Sequence, residues 1–403
     1  MTPNRMRIID RWIGIPICAI ASIMKKFLKK KSIQKNNIDP DIILFTCIAE
    51  IGALFVAYPA LLKAKKNFPK SRILFLTGSG GVDALKIMGL HEEDILEIRT
   101  DSLNLLIKDC LRLKKKIGSN IFFNIVLEPF TRFSHLLGFW LGADRLVGCH
   151  SFNSEGGYLG SLITDPVVYN PHLHASQQFV ALVEALNNKF GDIPSSKFKI
   201  SNQTRFRARF HALPEEKFIL KKKILQQCPS LKNKKIILLN ANASDIVPLR
   251  KWPLASFVEV GKVLLSQRDD VGIILTGAKS ERDACDQLVI NLESSNVLNL
   301  AGDTSFRELL TLYELSVLLI SNDSGPVHFA SSTNISILAL YGPETPSIFG
   351  PMTPSAKILY LGLSCSPCVS PMNQKKSECN DNQCMKKIST EWVSKEALKL
   401  IPK

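Results

Sequence analysis

Short continuous apolar runs alternate with longer amphipathic stretches along most of this chain, and no other feature constrains its fold as tightly. Asp41–Ile48, Arg72–Thr77, Asp94–Arg99 and Asn120–Leu127 read as strands. Ala53–Asn67, the Asp83–Met88 region and Leu103–Lys116 read as helices between them. Strands that are apolar on both sides and separated by helices belong to a parallel sheet covered on both faces. Right-handed crossovers then give a doubly wound, Rossmann-like α/β domain. The pattern lapses from Tyr169 to Lys234, where Ala175–Leu186 reads as a helix, Asn187–Gln203 is polar and irregular, and Arg205–Gln226 is basic and helical in part. It then restarts. Strands are expected at Lys235–Leu239, Val271–Thr276, Val297–Leu300, Val317–Ser321 and Ile335–Leu340, and helices at Leu254–Ser266, Glu281–Leu292, Phe306–Glu314 and Pro326–Ser332.

Two such halves suit a chain of 403 residues. The expected organisation is a basic arm over 1–40, a first Rossmann-like domain over 41–205 and a second over 206–403 that ends in a cysteine-rich segment. A ligand cleft is expected between the halves, at the carboxyl ends of the strands. With 45% hydrophobic and 22% charged residues, the chain is neither disordered, collagen-like nor a small disulfide-stapled scaffold.

The net charge is +15, and its location is uneven. Residues 1–40 hold nine Lys/Arg (Arg5, Arg7, Arg11, Lys25, Lys26, Lys29, Lys30, Lys31, Lys35) against Asp10 and Asp39, nearly half of the excess. The basic flanks enclose the apolar stretch Trp12–Met24. As a helix it would reach about 20 Å, short of a hydrocarbon core of about 30 Å. A signal peptide would continue into a small-residue cleavage site; a lysine run follows instead. The arm is expected to lie in a membrane interface, with Trp12 at headgroup level and lysines on anionic lipid. A soluble helix packed on the body is the alternative. Basic clusters also suit nucleic acid, but no base-stacking or groove-reading motif accompanies this one, so no nucleic-acid partner is expected.

Several turns at strand ends carry chemistry. Asn322-Asp323-Ser324-Gly325-Pro326-Val327-His328 runs from an apolar strand into a helix. Free amides at a helix start favour an anion, glycine permits close approach, and His328 lies one turn in. An ordinary capped helix start uses the same residues. Asn240–Pro253 holds small residues, Asn242 among them as a ligand-binding candidate, then Arg250 and Lys251, which suit a diphosphate or a plain solvated loop. Thr276-Gly277-Ala278 leads to Glu281, placed for sugar or ribose hydroxyls or for its own helix start. In the first half, Glu50 follows the first strand, where a carboxylate can accept a proton or simply sit in an exposed loop. Six of the ten cysteines are scattered, several inside strand-like runs, and read as buried thiols in a reducing compartment. Cys365, Cys368, Cys379 and Cys384 leave zinc, disulfides or a plain thiol cluster open.

Taken in order, these stretches resemble glycosyltransferase family 9, the bacterial heptosyltransferases of lipopolysaccharide assembly. The similar elements are Glu50–Ala53 with Ala57–Leu61, Lys251-Trp252-Pro253, Thr276-Gly277-Ala278 with Glu281, Leu300–Ser305 with Glu308-Leu309, Asp323–His328, and Tyr341-Gly342-Pro343 with Thr345-Pro346. Together they span about residues 41–390, and the Asp323–His328 element is the specific one. The resemblance implies a GT-B fold, two Rossmann-like domains facing a central cleft, and inverting transfer, usually with no metal and no cofactor besides the nucleotide-sugar donor. It implies that Asp323, Ser324, Gly325 and His328 hold sugar and diphosphate, with Asn242 and Glu281 also on the donor. Arg250 or Lys251 would offset charge on the departing diphosphate. The implied donor is ADP-heptose, the acceptor an anionic, lipid-linked saccharide, and the location cytoplasmic, on the inner face of the inner membrane. The family's loop carries an aspartate base after the glycine; here that position is Ala53, so Glu50 is the expected base. The alternatives are an inactive relative that binds or scaffolds, and a nucleotide-sugar epimerase of similar fold.

Overall fold

The computed structural model describes residues 10–27, 39–150, 158–187, 193–203, 206–243 and 246–403. Arg5, Arg7, Lys29, Lys30, Lys31 and Lys35 of the arm lie outside the described residues. The chain divides into two units. One is Met1–Phe206 with Ser370–Lys375; the other is Arg207–Val369 with Lys376–Lys403. The arm thus groups with the first unit, and so does a short segment near the end of the chain that the expected boundaries gave to the second.

The first unit contains α1 (Ile15–Phe27), β1 (Ile42–Thr46), α2 (Ile51–Val56), α3 (Tyr58–Asn67), β2 (Arg72–Thr77), α4 (Val82–Ile87), β3 (Ile95–Glu97), α5 (Leu103–Ile117), β4 (Phe122–Val126), α6 (Arg132–Leu141), β5 (Arg145–His150), β6 (Asp165–Val168) and α7 (Ala175–Ala185). Its six strands are parallel in the order β3-β2-β1-β4-β5-β6. Every residue of β1 is buried, because helices cover both faces of the sheet. Leu113 and Ile117 of α5 and Leu137 and Leu141 of α6 pack on Ile42, Leu44, Leu74 and Leu76. Each such side chain stabilises the fold by about 1.5–3 kcal/mol. The expected helix Ala53–Asn67 is two helices, α2 and α3. Pro59, the second residue of α3, lacks an N–H and its ring would strike the carbonyl four residues back. The elements α6, β5 and β6 were not anticipated from the sequence.

The second unit contains α8 (Pro214–Gln227), β7 (Lys235–Asn240), α9 (Leu254–Gln267), β8 (Val271–Leu275), α10 (Arg282–Leu292), β9 (Val297–Asn299), α11 (Phe306–Leu315), β10 (Leu318–Asn322), α12 (Gly325–Ala330), β11 (Ser336–Tyr341), β12 (Ala356–Tyr360) and α13 (Thr390–Leu400). Its parallel sheet runs β12-β11-β10-β7-β8-β9, the first unit's order repeated. Trp252, Phe257, Val260 and Leu264 fill the space between α9 and the sheet, and Val393 and Ala397 of α13 close the same core.

The arm's apolar stretch forms α1, and it packs on the first unit. Cys18, Ala21 and Ser22 face inward against the neighbourhood of Val126, Leu146 and Leu162. The alternative placement, a helix packed on the body, is thus realised by one face, and the other carries exposed Trp12, Ile13, Ile17, Ile20, Ile23, Met24 and Phe27.

Asp109 is the one acid of α5, and it is buried. It accepts from Arg99 Nε (2.9 Å), Nη2 (2.7 Å) and the Arg99 backbone (3.0 Å), tying α5 to the chain after β3. The Arg99 bonds hold its carboxyl down to about 2, against an ordinary 3.8. A depressed pKa stabilises the fold above the unfolded value and is lost as pH falls through the folded one. Asp109→Asn should therefore cost about 2 kcal/mol at neutral pH. Urea titrations should show that difference shrinking from near pH 4 towards pH 2; a difference that grows on acidification contradicts this account.

Candidate functional site

In an open doubly wound sheet, ligands bind where the strand order reverses, beyond the carboxyl ends of the two central strands. Here these points lie between β1 and β4 in the first unit and between β7 and β10 in the second. In each, one buried polar side chain ties the two strand ends together.

In the first unit this residue is Glu128, just after β4. Its carboxylate accepts the backbone N–H of Ile48 (2.9 Å) and Ala49 (2.7 Å) and the Ser134 hydroxyl. Burial raises its pKa; those three bonds pull the other way and do not cancel it. The bonds fix the turn that carries Glu50. Glu50 occupies the position before α2, yet its side chain does not cap the helix; its carboxylate pairs with the Lys375 ammonium. Gln374 and Lys375 both have left-handed backbones, φ +55° and +57°, uncommon without glycine. Ala53, half-buried, presents only a methyl group.

In the second unit the corresponding residue is Asn322, fully buried at the end of β10. Its amide donates to the carbonyls of Ala241 (2.9 Å) and Asn242 (3.3 Å), and its oxygen accepts the Trp252 N–H (3.1 Å). Both ends of the β7–α9 loop are thereby joined to the turn before α12. Trp252 is structural. It lies edge-on to Phe257 and its indole N–H donates to the Ile388 carbonyl.

Asp323 follows directly and is buried. Arg250 reaches it (Nε to Oδ2, 3.6 Å; Nη1 to the carbonyl oxygen, 3.5 Å) and forms an ion pair with buried Glu344. Two carboxylates thus flank one guanidinium. Glu344 Oε1 is buried with no hydrogen-bond partner among the described residues. Burial, and then the Asp323 charge, push the adjacent Tyr341 hydroxyl well above its ordinary range. Lys251, next to Arg250, is exposed.

The remaining sequence candidates fall into two groups. Asn242 and Glu281 converge on Gly277, where an added Cβ would meet Asn242 Nδ2 at 3.0 Å and Glu281 Oε2 at 2.9 Å. Glu281 also accepts the Ala278 N–H (2.7 Å), so its helix-start role is realised. Ser324 precedes α12 without capping it; its hydroxyl donates to the Asn322 carbonyl (3.2 Å). Gly325 is required by packing within its own helix, since a Cβ there would press on the Phe329 ring at 2.7 Å. His328 is half-buried in α12. Ser244 and Asp245 of the Asn240–Pro253 turn lie outside the described residues.

Sequence reasoning missed Glu128, Asn322, Glu344 and Lys375 as parts of these sites. Asn322 and Glu344 lie inside or beside the quoted motifs; for Asn322 the signal was a polar residue closing an apolar strand. Glu128 closes β4 in the same way. Lys375 had no local signal, being more than 300 residues from Glu50 in sequence. Among the cysteines, Cys384 is buried and packs against Gly342, and none of the ten forms a disulfide. Burial, then the neighbouring Cys368, Cys379 and Cys365, push its thiol up to about 11.

Residues 111–378 match the family described as glycosyltransferase family 9 (heptosyltransferase). A curated relative, lipooligosaccharide heptosyltransferase 2 of Campylobacter jejuni, is 32% identical over 174 residues, covering 42% of this chain and 53% of its own length. The match thus spans about half of that relative. The solved structure of the Escherichia coli ADP-heptose lipopolysaccharide heptosyltransferase II superposes with a TM-score of 0.67 at 17% identity, over 89% of this chain and 98% of the other. A family 9 glycosyl transferase from Veillonella parvula superposes with a TM-score of 0.65 at 21% identity, over 91% and 99%. These likenesses show the fold, two Rossmann-like units of the GT-B type.

Replacing Asn322 by Ala removes three hydrogen bonds and leaves the Trp252 N–H and two carbonyls unpaired. The expected cost is about 3 kcal/mol. Amide exchange should accelerate over residues 241–243 and 251–252 while β1 and β4 stay protected. Unchanged exchange there would show that Asn322 does not hold these loops.

Proposed function

Given that the chain belongs to glycosyltransferase family 9, the heptosyltransferases, we propose that it transfers a sugar from a nucleoside-diphosphate donor to a lipid-linked saccharide with inversion at the anomeric carbon. The observation that carries this reading is the second unit's switch point, where Asn322 holds the Asp323–His328 element against both ends of the loop that carries Asn242 and Arg250. The donor is ADP-heptose in this reading, the donor named for the Escherichia coli relative.

The chemistry follows from the placement of charge. Asp323 and Glu344 surround Arg250 with an excess of one negative charge, which suits sugar hydroxyls better than a diphosphate. Lys251 is exposed beside this clamp and is the cation assigned to the leaving phosphates, with Arg250 supporting. Asn242 and Glu281, meeting at Gly277, take the nucleoside or sugar; Ser324, Gly325 and His328 take the diphosphate. As the acceptor hydroxyl bonds to the anomeric carbon, the bond to the diphosphate breaks and the hydroxyl proton passes to Glu50. Charge developing on the leaving group is offset by fixed cations, a transition-state effect. The acceptor is reached at the inner face of the inner membrane.

Glu50→Gln should lower transfer by about a hundredfold to ten-thousandfold, with donor binding intact. Wild-type turnover by a folded Glu50→Gln protein would reject Glu50 as the base. A thermal-shift panel of ADP-, GDP-, UDP- and CMP-sugars should show stabilisation by the ADP-sugar alone. Stabilisation by another nucleotide class overturns the donor assignment. Donor binding without turnover on any lipid-linked acceptor would point to a binding-only relative, for which Ala53 in place of the loop aspartate is the motive.

A further inference from the structure

We propose that α1, α5 and α6 form one membrane-docking face that seats the first unit, in a fixed orientation, on an anionic lipid surface. This builds on the reading of a lipid-linked acceptor, and it extends the lipid contact well beyond the arm.

The three helices lie side by side on one face of the first sheet, α6 packing against both α5 and α1. Each is sided. On α1 and the Asp10–Gly14 turn that leads into it, Ile13, Ile17, Ile20, Met24 and Phe27 recur at helical spacing on the exposed side, flanked by Trp12 and Ile23; Trp12 is 74% exposed and Phe27 81%. On α5, Leu113 and Ile117 point inward while Leu103, Ile107 and Leu111, four residues apart, stand exposed. On α6, Trp140 is exposed with the Lys114 ammonium 4.6 Å from its ring centroid. Eleven large apolar side chains on three adjacent helices exceed the scattered exposure usual for a soluble surface.

The charge on this face has one sign. Besides buried Arg132, the sequences of α1, α5 and α6 hold Lys25, Lys26, Lys108, Arg112, Lys114, Lys115 and Lys116 against a single acid, Asp109, which is buried and paired. Asp10, just before α1, is paired with Arg132. A second copy of the chain would bring like charge against like charge; an anionic bilayer is complementary. Among the described residues no helix is long and apolar enough to cross a membrane, so the contact is interfacial.

The face is rigid. Ser22 Oγ accepts the Ser161 N–H (2.9 Å) and donates to the Cys18 carbonyl (2.7 Å). Lys25 Nζ donates to the carbonyls of Ser161 (2.7 Å) and Leu162 (3.0 Å). Gly160, at φ +62°, has no room for a Cβ against Ser22. A helix held in this way sets the tilt of the unit that carries Glu50.

The test is co-flotation of the full chain with vesicles of phosphatidylcholine alone or with about one third phosphatidylglycerol. Binding is expected on the anionic vesicles and should weaken with salt. The triple variants Ile17→Ser/Ile20→Ser/Met24→Ser and Leu103→Ser/Ile107→Ser/Leu111→Ser should each lose about tenfold or more in partitioning, with thermal unfolding unchanged because these side chains are exposed. Wild-type binding by the α5 triple variant would reduce the face to a tether and overturn the proposal. So would a concentration-dependent dimer that leaves the vesicles unbound. Transfer to a delipidated, soluble acceptor should be equal in the wild type and the α5 variant. Loss of transfer in both would count against the proposed function and leave the lipid result standing.

Discussion

The two sites depend on one kind of interaction, a buried polar side chain that bridges the ends of the two central strands. Parallel strands of a doubly wound sheet diverge where the order reverses, and the loops leaving them have no ladder to satisfy their backbone groups. Glu128 meets this need by accepting two N–H groups from the β1 loop. Asn322 meets it by donating to two carbonyls and accepting one N–H. The choice of side chain follows the groups presented. The β1 loop turns two N–H donors to Glu128, which a carboxylate takes; the second unit turns both donors and acceptors to Asn322, which an amide takes. The residues one would assign to chemistry, Glu50 and Asp323, are placed by these neighbours.

The same sites explain why charge does not read simply from position. Arg250 looks like a phosphate ligand, yet it lies between Asp323 and Glu344 and is mostly buried. An uncompensated buried carboxylate would be costly, so a guanidinium between two acids holds both in place. Glu50 likewise stands opposite Lys375. Asp323 and Glu50 thus each stand beside a cation.

Much of the fold was legible because β1, β2, β7, β8, β10 and β11 are continuous apolar runs. Where the signal was mixed, reading failed for physical reasons. β6 contains Asp165 and Pro166, and only its place at the edge of the sheet tolerates that proline. β12 opens on Ala356-Lys357, also at an edge. The break between α2 and α3 was marked by Pro59 and overlooked. At the sites, the motif residues were found but their partners were not. Asn322 looked like part of a turn, and Glu344 pairs with a residue 94 positions away, a relation no local pattern contains. At Gly325 a Cβ would press on Phe329 of its own helix, a packing reason for glycine that no local pattern shows.

The arm divides its residues by size, and the division has an energetic meaning. The packed side of α1 is made of Cys18, Ala21 and Ser22, which bury little apolar area and gain correspondingly little from packing. The helix is held instead by specific polar contacts: Asp10 with Arg132, Ser22 with Ser161, Lys25 with two carbonyls. Its isoleucines, methionine, tryptophan and phenylalanine remain outside. A thirteen-residue helix in water is marginal by itself, and most of the apolar free energy this one holds is unspent in the isolated protein. In the proposed docking, a second apolar phase would stabilise this helix further, and the lysines beside it would favour a phase with a negative surface.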